Sequence, residues 1–236
     1  MPIQYLTELP WFAGLPEDLR ELVADIEHHA GLRVVVEPTA KEKMSCEFGK
    51  RRAVVQVPEA GPPRASSLFH ELLHLKRYFV DGTPKLVYCD DEHEFEDDDD
   101  ARTPQLFVSL DNQIEHLFIV PLELARYNCA RGYWEERMGA VLKEPQLSDD
   151  GAVVVWEFIH RVLKGGGLSD AAQVQVDQRG LGEACDRFHH AVDESKEAAT
   201  LCLFEIFAPA KLPRACLDYF GQQQEIPLAS LKRPAI

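Results

Sequence analysis

The chain has 236 residues, 45% of them hydrophobic, which is enough to bury a core in one large domain or in two small lobes. Its formal net charge of -15 argues against nonspecific binding to nucleic acid or to anionic membranes, because both require a basic surface. No stretch approaches the roughly 20 apolar residues of a membrane span and the N-terminus does not resemble a secretory signal, so we predict a cytoplasmic protein without a membrane partner.

The first sixty residues are predicted to form one helix and a small sheet. Apolar residues recur at helical spacing over 16–30, and Gly31 follows as a C-cap. The segments 32–37 and 53–57 are rich in valine, and 44–48 is a weaker strand candidate between them. We expect these three segments to pair in an antiparallel or mixed sheet.

A second helix is predicted to follow two prolines. It starts at Ala65 and runs to Val80, with two apolar stripes that flank a narrow polar one. Residues 84–89 could return to the sheet, whereas the acidic segment 90–100 has no residues for a packed core and is expected to be a solvated loop.

The rest of the chain reads as helical. Residues 106–120 form a helix that Pro121 is expected to kink or end, and further helices are predicted over 122–133, 153–163 and 182–207. The fold class is therefore α+β: a small N-terminal antiparallel or mixed sheet with the helix over 65–80 packed on it, then a mostly helical C-terminal half. We predict a single domain over 1–236, with an α/β lobe over 1–103 and a helical lobe over 104–236.

The cysteines show no metal-binding or disulfide pattern. The sequence has six and no CxxC pair, so free, mostly buried thiols are expected. They are Cys46, Cys89, Cys129, Cys185, Cys202 and Cys216.

The polar stripe of the second helix contains the pattern HExxH. His70 and His74 are four residues apart, so their imidazoles lie on one helical face and are able to bind one metal ion. Glu71 lies beside them. A zinc ion lowers the pKa of water, and an adjacent carboxylate accepts the proton as that water attacks a carbonyl. This spacing predicts a hydrolytic zinc site with Glu71 as general base.

A catalytic zinc usually has three protein ligands, so one ligand must come from elsewhere in the chain. The next helix supplies Glu115 and His116 about 40 residues downstream. We predict Glu115 as the third ligand and keep its neighbour His116 as the alternative. Asp111, one turn earlier, is predicted to orient a ligand histidine by a hydrogen bond to its second nitrogen.

Through the HExxH helix and a downstream helix bearing Glu115, the sequence resembles the zincin metallopeptidases, in particular their glutamate-ligand branch. The resemblance implies zinc bound by His70, His74 and Glu115, with Glu71 as general base and a peptide strand laid along the sheet edge. No third histidine follows at the metzincin spacing, and Glu115 is not within the NExxSD pattern of thermolysin-like enzymes.

Two functions from different classes are consistent with the sequence. The first is a zinc-dependent metallopeptidase that acts on a peptide or protein substrate without nucleic acid as partner. The alternative is a non-enzymatic zincin-like binding or regulatory module, although a purely structural metal site does not need the general base Glu71. The sequence does not identify the oxyanion donor or the oligomeric state.

Overall fold

The computed structural model describes residues 3–59, 62–89 and 98–231, with only the backbone described for 98–102. The chain divides into two compact units, Met1–Pro84 with Tyr219–Gln224 and Lys85–Asp218 with Glu225–Ile236. The predicted lobe boundary after residue 103 falls inside a helix of the second unit. Most of the acidic segment 90–100, namely residues 90–97, lies outside the described residues.

The first unit contains a four-stranded mixed sheet and two helices. The elements are β1 Gln4–Tyr5, α1 Glu17–Ala30, β2 Val35–Thr39, β3 Ser45–Gly49, β4 Arg52–Pro58 and α2 Ala65–Phe79. The strand order is β1-β2-β4-β3, with β2 parallel to β4 and the other two pairs antiparallel. The prediction of a small N-terminal mixed sheet is confirmed, and the sheet includes the weak strand candidate over 44–48 as β3.

The predicted end of α1 is confirmed at Gly31. This residue has φ of +62°, a left-handed conformation that glycine adopts without a Cβ penalty. Helix α1 contributes fully buried residues to an apolar cluster that also contains residues of β2, β4 and α2. The cluster includes Leu19, Val23, Ile26, Val36, Val55, Val57, Leu68, Leu72 and Leu75.

The second unit is mainly helical, which confirms the predicted helical C-terminal half. Within the described ranges, no helix combines the length and the apolar character needed to span a membrane. The elements are β5 Lys85–Tyr88, α3 Asp98–Arg126, α4 Arg131–Val141, α5 Asp149–Phe158, a π-helical turn Ile159–Leu163, α6 Gly167–Arg179, α7 Gly182–Glu194, α8 Lys196–Phe207, β6 Ala215–Tyr219 and β7 Gln224–Pro227.

The break expected at Pro121 is wrong, because α3 continues through it to Arg126. Proline removes one backbone donor, but Ile114, Leu117, Val120 and Leu124 on either side are buried. We attribute the continuity to this burial, which favours the helical conformation more than the lost hydrogen bond disfavours it.

Two further expectations are corrected in the second unit. The segment 84–89 does not return to the first sheet: β5 belongs to a separate three-stranded sheet of order β5-β6-β7, whose last two strands lie in a region read as helical. The helix predicted over 182–207 is two helices. Ser195 has extended backbone at the break, and its Oγ accepts a hydrogen bond from Ala198 N–H at 3.1 Å, which caps α8.

The expectation that the cysteines are free is wrong for two of the six. Cys89 and Cys216 are 127 residues apart in the chain and form a disulfide. Cys216 lies on β6, where it is paired in register with Val87 of β5. Structural disulfides are uncommon in the cytosol, so this bond does not favour the predicted cytoplasmic location. The free cysteines are Cys46, Cys129, Cys185 and Cys202.

We expect the oxidised protein, unfolded in denaturant without reductant, to show four titratable thiols. Before unfolding, the exposed Cys129 should react first, because burial, followed by the nearby carboxylates of Asp186 and Glu157, raises the pKa of Cys185 to about 12. Reduction should lower the free energy of unfolding by about 2–4 kcal/mol, because the unfolded chain regains entropy. Six thiols without reductant would contradict the disulfide.

Candidate metal centre

Helix α2 places the three residues of the HExxH pattern in one turn at its centre. The His70 and His74 rings lie 5.1 Å apart between centroids, in an edge-to-face arrangement. His74 and Glu71 are buried, with 5% and 8% of their surface exposed, and His70 is half-buried. The metal-binding pattern therefore lies on a largely buried stretch of helix rather than on a solvated face.

Helix α3 carries His116, the alternative third ligand, in a buried position. Its exposed fraction is 7%, and its ring centroid lies 5.0 Å from that of Trp134 on α4. Trp134 is itself held, because its Nε1–H donates to Glu123 Oε2 at 2.9 Å. This packing restricts the rotation of the His116 imidazole.

Glu115, the predicted third ligand, pairs with a lysine of α8. Lys196 Nζ lies 2.9 Å from Glu115 Oε2 and 2.8 Å from Asp111 Oδ1. Asp111 Oδ1 also accepts a hydrogen bond from Leu86 N–H of β5 at 2.9 Å. Asp111 and Glu115 thus have a structural task within the second unit, and the roles predicted for them at the metal stay predictions.

Three histidines form a group with the chemistry of a metal site: His70, His74 and His116. Each offers one ring nitrogen, and these three nitrogens lie within 4.8 Å of one another. Nitrogens bound at about 2.0–2.1 Å to a tetrahedral zinc lie roughly 3.3–3.4 Å apart, which is shorter than the 4.8 Å limit within which this group falls. Three imidazoles leave one of four positions for water, and this donor set fits zinc.

Sequence reasoning found every histidine of this group but did not find Lys196. This lysine lies 85 residues beyond Asp111 and 81 beyond Glu115, and it directly follows Ser195 in a stretch with no motif. Its pairing depends on how α8 packs on α3, which helical periodicity does not specify. The sequence indicated both Glu115 and His116 as candidates for the third ligand. It gave no reason to prefer His116.

No family model, no curated protein and no solved structure matches this chain. A function for it must therefore be argued from its own residues and their geometry.

We expect Lys196→Met to lower the free energy of unfolding by about 3–5 kcal/mol, because it removes the buried ammonium that pairs with the carboxylates of Asp111 and Glu115. Chemical denaturation followed by circular dichroism measures this change. The matched control is Arg52→Met, which breaks an exposed pair with Glu37 and should cost at most about 1 kcal/mol. Equal losses in both variants would contradict a special role for the buried pair.

Proposed function

We propose that this protein is a zinc-dependent metallopeptidase of the zincin type, with zinc bound by His70, His74 and His116. The observation that carries the proposal is the group of three imidazole nitrogens within 4.8 Å of one another, two of them on the helix that also carries Glu71. A structural metal site would not require that carboxylate. The pattern HExxH and the three-nitrogen group support hydrolytic chemistry together more strongly than either does alone.

The proposed ligand set differs from the glutamate-ligand branch that the sequence resembles. Glu115 is engaged by Lys196, and its neighbour His116 belongs to the three-histidine group. We therefore assign the third position to His116. The proposal also includes packing of the motif helix on the first sheet, and the shared apolar cluster of α2, β2 and β4 supports it.

Glu71 is assigned the proton transfers. When bound, zinc supplies a Lewis acid that lowers the pKa of water and polarises the carbonyl under attack. Glu71 accepts the proton of the attacking water and then delivers it to the leaving nitrogen of the peptide. Its burial beside both α2 histidines keeps bulk water from competing for that proton.

Peptide bonds are the proposed substrate because the HExxH pattern chiefly serves amide hydrolysis. A peptide strand bound along the edge of the first sheet remains part of this proposal, as does a cytoplasmic location.

Purified protein should contain about one zinc per chain by elemental analysis. His70→Ala, His74→Ala and His116→Ala should each lose most of it, because a site with two protein ligands binds zinc weakly. Glu115→Gln should retain zinc, and His28→Ala, which changes an exposed histidine of α1, is the matched control. Retention of zinc by His116→Ala with loss in Glu115→Gln would reverse the assignment of the third ligand.

Glu71→Gln should abolish peptide hydrolysis while zinc content stays unchanged. Glutamine has nearly the same shape, but its amide does not accept the proton, and general-base catalysis typically contributes about 10²–10⁴-fold. The measurement is the turnover of a quenched fluorescent peptide library beside the zinc content of the same preparation. Full activity of the zinc-loaded variant would remove Glu71 from the mechanism.

A further inference from the structure

Two helices of the second unit bring a second group of imidazoles and carboxylates together. The group lies on α5, on the π-helical turn that follows it and on α7, so all of its members belong to one compact unit. π-Helical turns are rare and occur frequently at functional sites. The members are Glu157, His160, Arg161, His189 and Asp193.

Glu157 orients the imidazole of His189. Its side chain is 0% exposed, and its Oε2 accepts a hydrogen bond from His189 Nδ1–H, with 2.9 Å between the two atoms. Arg161 Nε–H donates to Oε1 of the same carboxylate at 2.5 Å. A carboxylate that holds one ring N–H leaves the other nitrogen with its lone pair, and this is how metal-bound histidines are usually supported.

Asp193 places a carboxylate oxygen next to that second nitrogen. It lies one turn after His189 on α7, and 3.9 Å separates its Oδ2 from His189 Nε2. Its other oxygen, Oδ1, accepts a hydrogen bond from Arg161 at 2.8 Å. Side chains four residues apart share one helical face, so His189 and Asp193 are able to bind one ion together.

His160 supplies a second imidazole beside this pair. It is exposed, and its ring centroid lies 5.6 Å from that of His189 in an edge-to-face arrangement. The corresponding distance between the two histidines of α2 is 5.1 Å. The His160 ring stacks on Trp156 at 5.1 Å with an interplanar angle of 6°, which limits its orientation.

We propose that His160, His189 and Asp193 form a second metal site for a divalent transition ion, with Glu157 as the residue that positions His189. Two imidazoles with one carboxylate suit Zn²⁺, Cu²⁺ or Ni²⁺, whereas Mg²⁺ and Ca²⁺ prefer oxygen ligands alone. The site is independent of the proposed peptidase activity.

The second site is expected to be weaker than the candidate metal centre. Of the residues that the structure describes, only the three histidines of that centre form a group of three donors within 4.8 Å of one another. The donors on α5 and α7 therefore have further to move when they bind an ion. Such a site loses its metal during purification and regains it when metal is added.

Isothermal titration of the purified full chain with Zn²⁺ alone tests the proposal, with Mg²⁺ in excess to occupy sites made only of oxygen. We expect one further zinc per chain. His189→Gln should lose this uptake, and His160→Gln should weaken it about tenfold or more, because each removes an imidazole donor. The matched control is His190→Gln, which changes the exposed neighbour of His189 and should bind zinc as the unaltered protein does.

Glu157→Gln tests the positioning role. The zinc affinity of the folded variant should fall by about 10–100-fold, because the Nδ1–H of His189 loses its carboxylate acceptor. If Glu157 only ties α5 to α7, the variant loses stability in chemical denaturation but keeps its zinc affinity. That outcome would remove the positioning role.

The double variant His70→Ala/His74→Ala separates this site from the candidate metal centre. It should keep the weaker uptake, and His189→Gln in the same background should abolish it, even if the proposed peptidase activity fails. No further zinc in the unaltered protein, or equal further uptake in His189→Gln and His190→Gln, would overturn the second site and leave the proposed function untouched.

Discussion

A lysine ammonium withdrawn from water must be surrounded by anions, and this constraint organises the second unit. Lys196 brings α8 onto the face of α3 that bears Asp111 and Glu115, and Asp111 in turn accepts a hydrogen bond from β5. One buried network of charges therefore connects a strand and two helices that are far apart in the chain. It holds the part of α3 in which His116 lies.

The pattern on α2 poses a different problem, because it places two imidazoles and one carboxylate on a largely buried helix. Such groups are costly unless each has a polar partner. In the proposed site, a cation bound by His70, His74 and His116 would offset part of that cost.

Sequence patterns within single elements predicted much of the fold and the part of the candidate site that lies on α2. The α+β class, the valine-rich strands, Gly31 and the spacing of His70, Glu71 and His74 follow from periodicity, capping and helical geometry. The path of α3 through Pro121, the strands β6 and β7 and the disulfide of Cys89 with Cys216 depend on contacts between distant segments. The same holds for Lys196: its partners lie 81 and 85 residues earlier in the chain. Glu115 and His116 were equally plausible by chemistry, and the group of three nitrogens, which contains His116, is what favours His116.

We propose that His70, His74 and His116, rather than Glu115, bind the metal. X-ray absorption at the zinc edge of the unaltered protein tests it directly, because imidazole rings give a multiple-scattering signature that carboxylates lack. We expect the spectrum to show three imidazoles and one water oxygen around the zinc, with zinc–nitrogen distances of about 2.0–2.1 Å. Two imidazoles with a carboxylate would contradict it and return Glu115 to the metal.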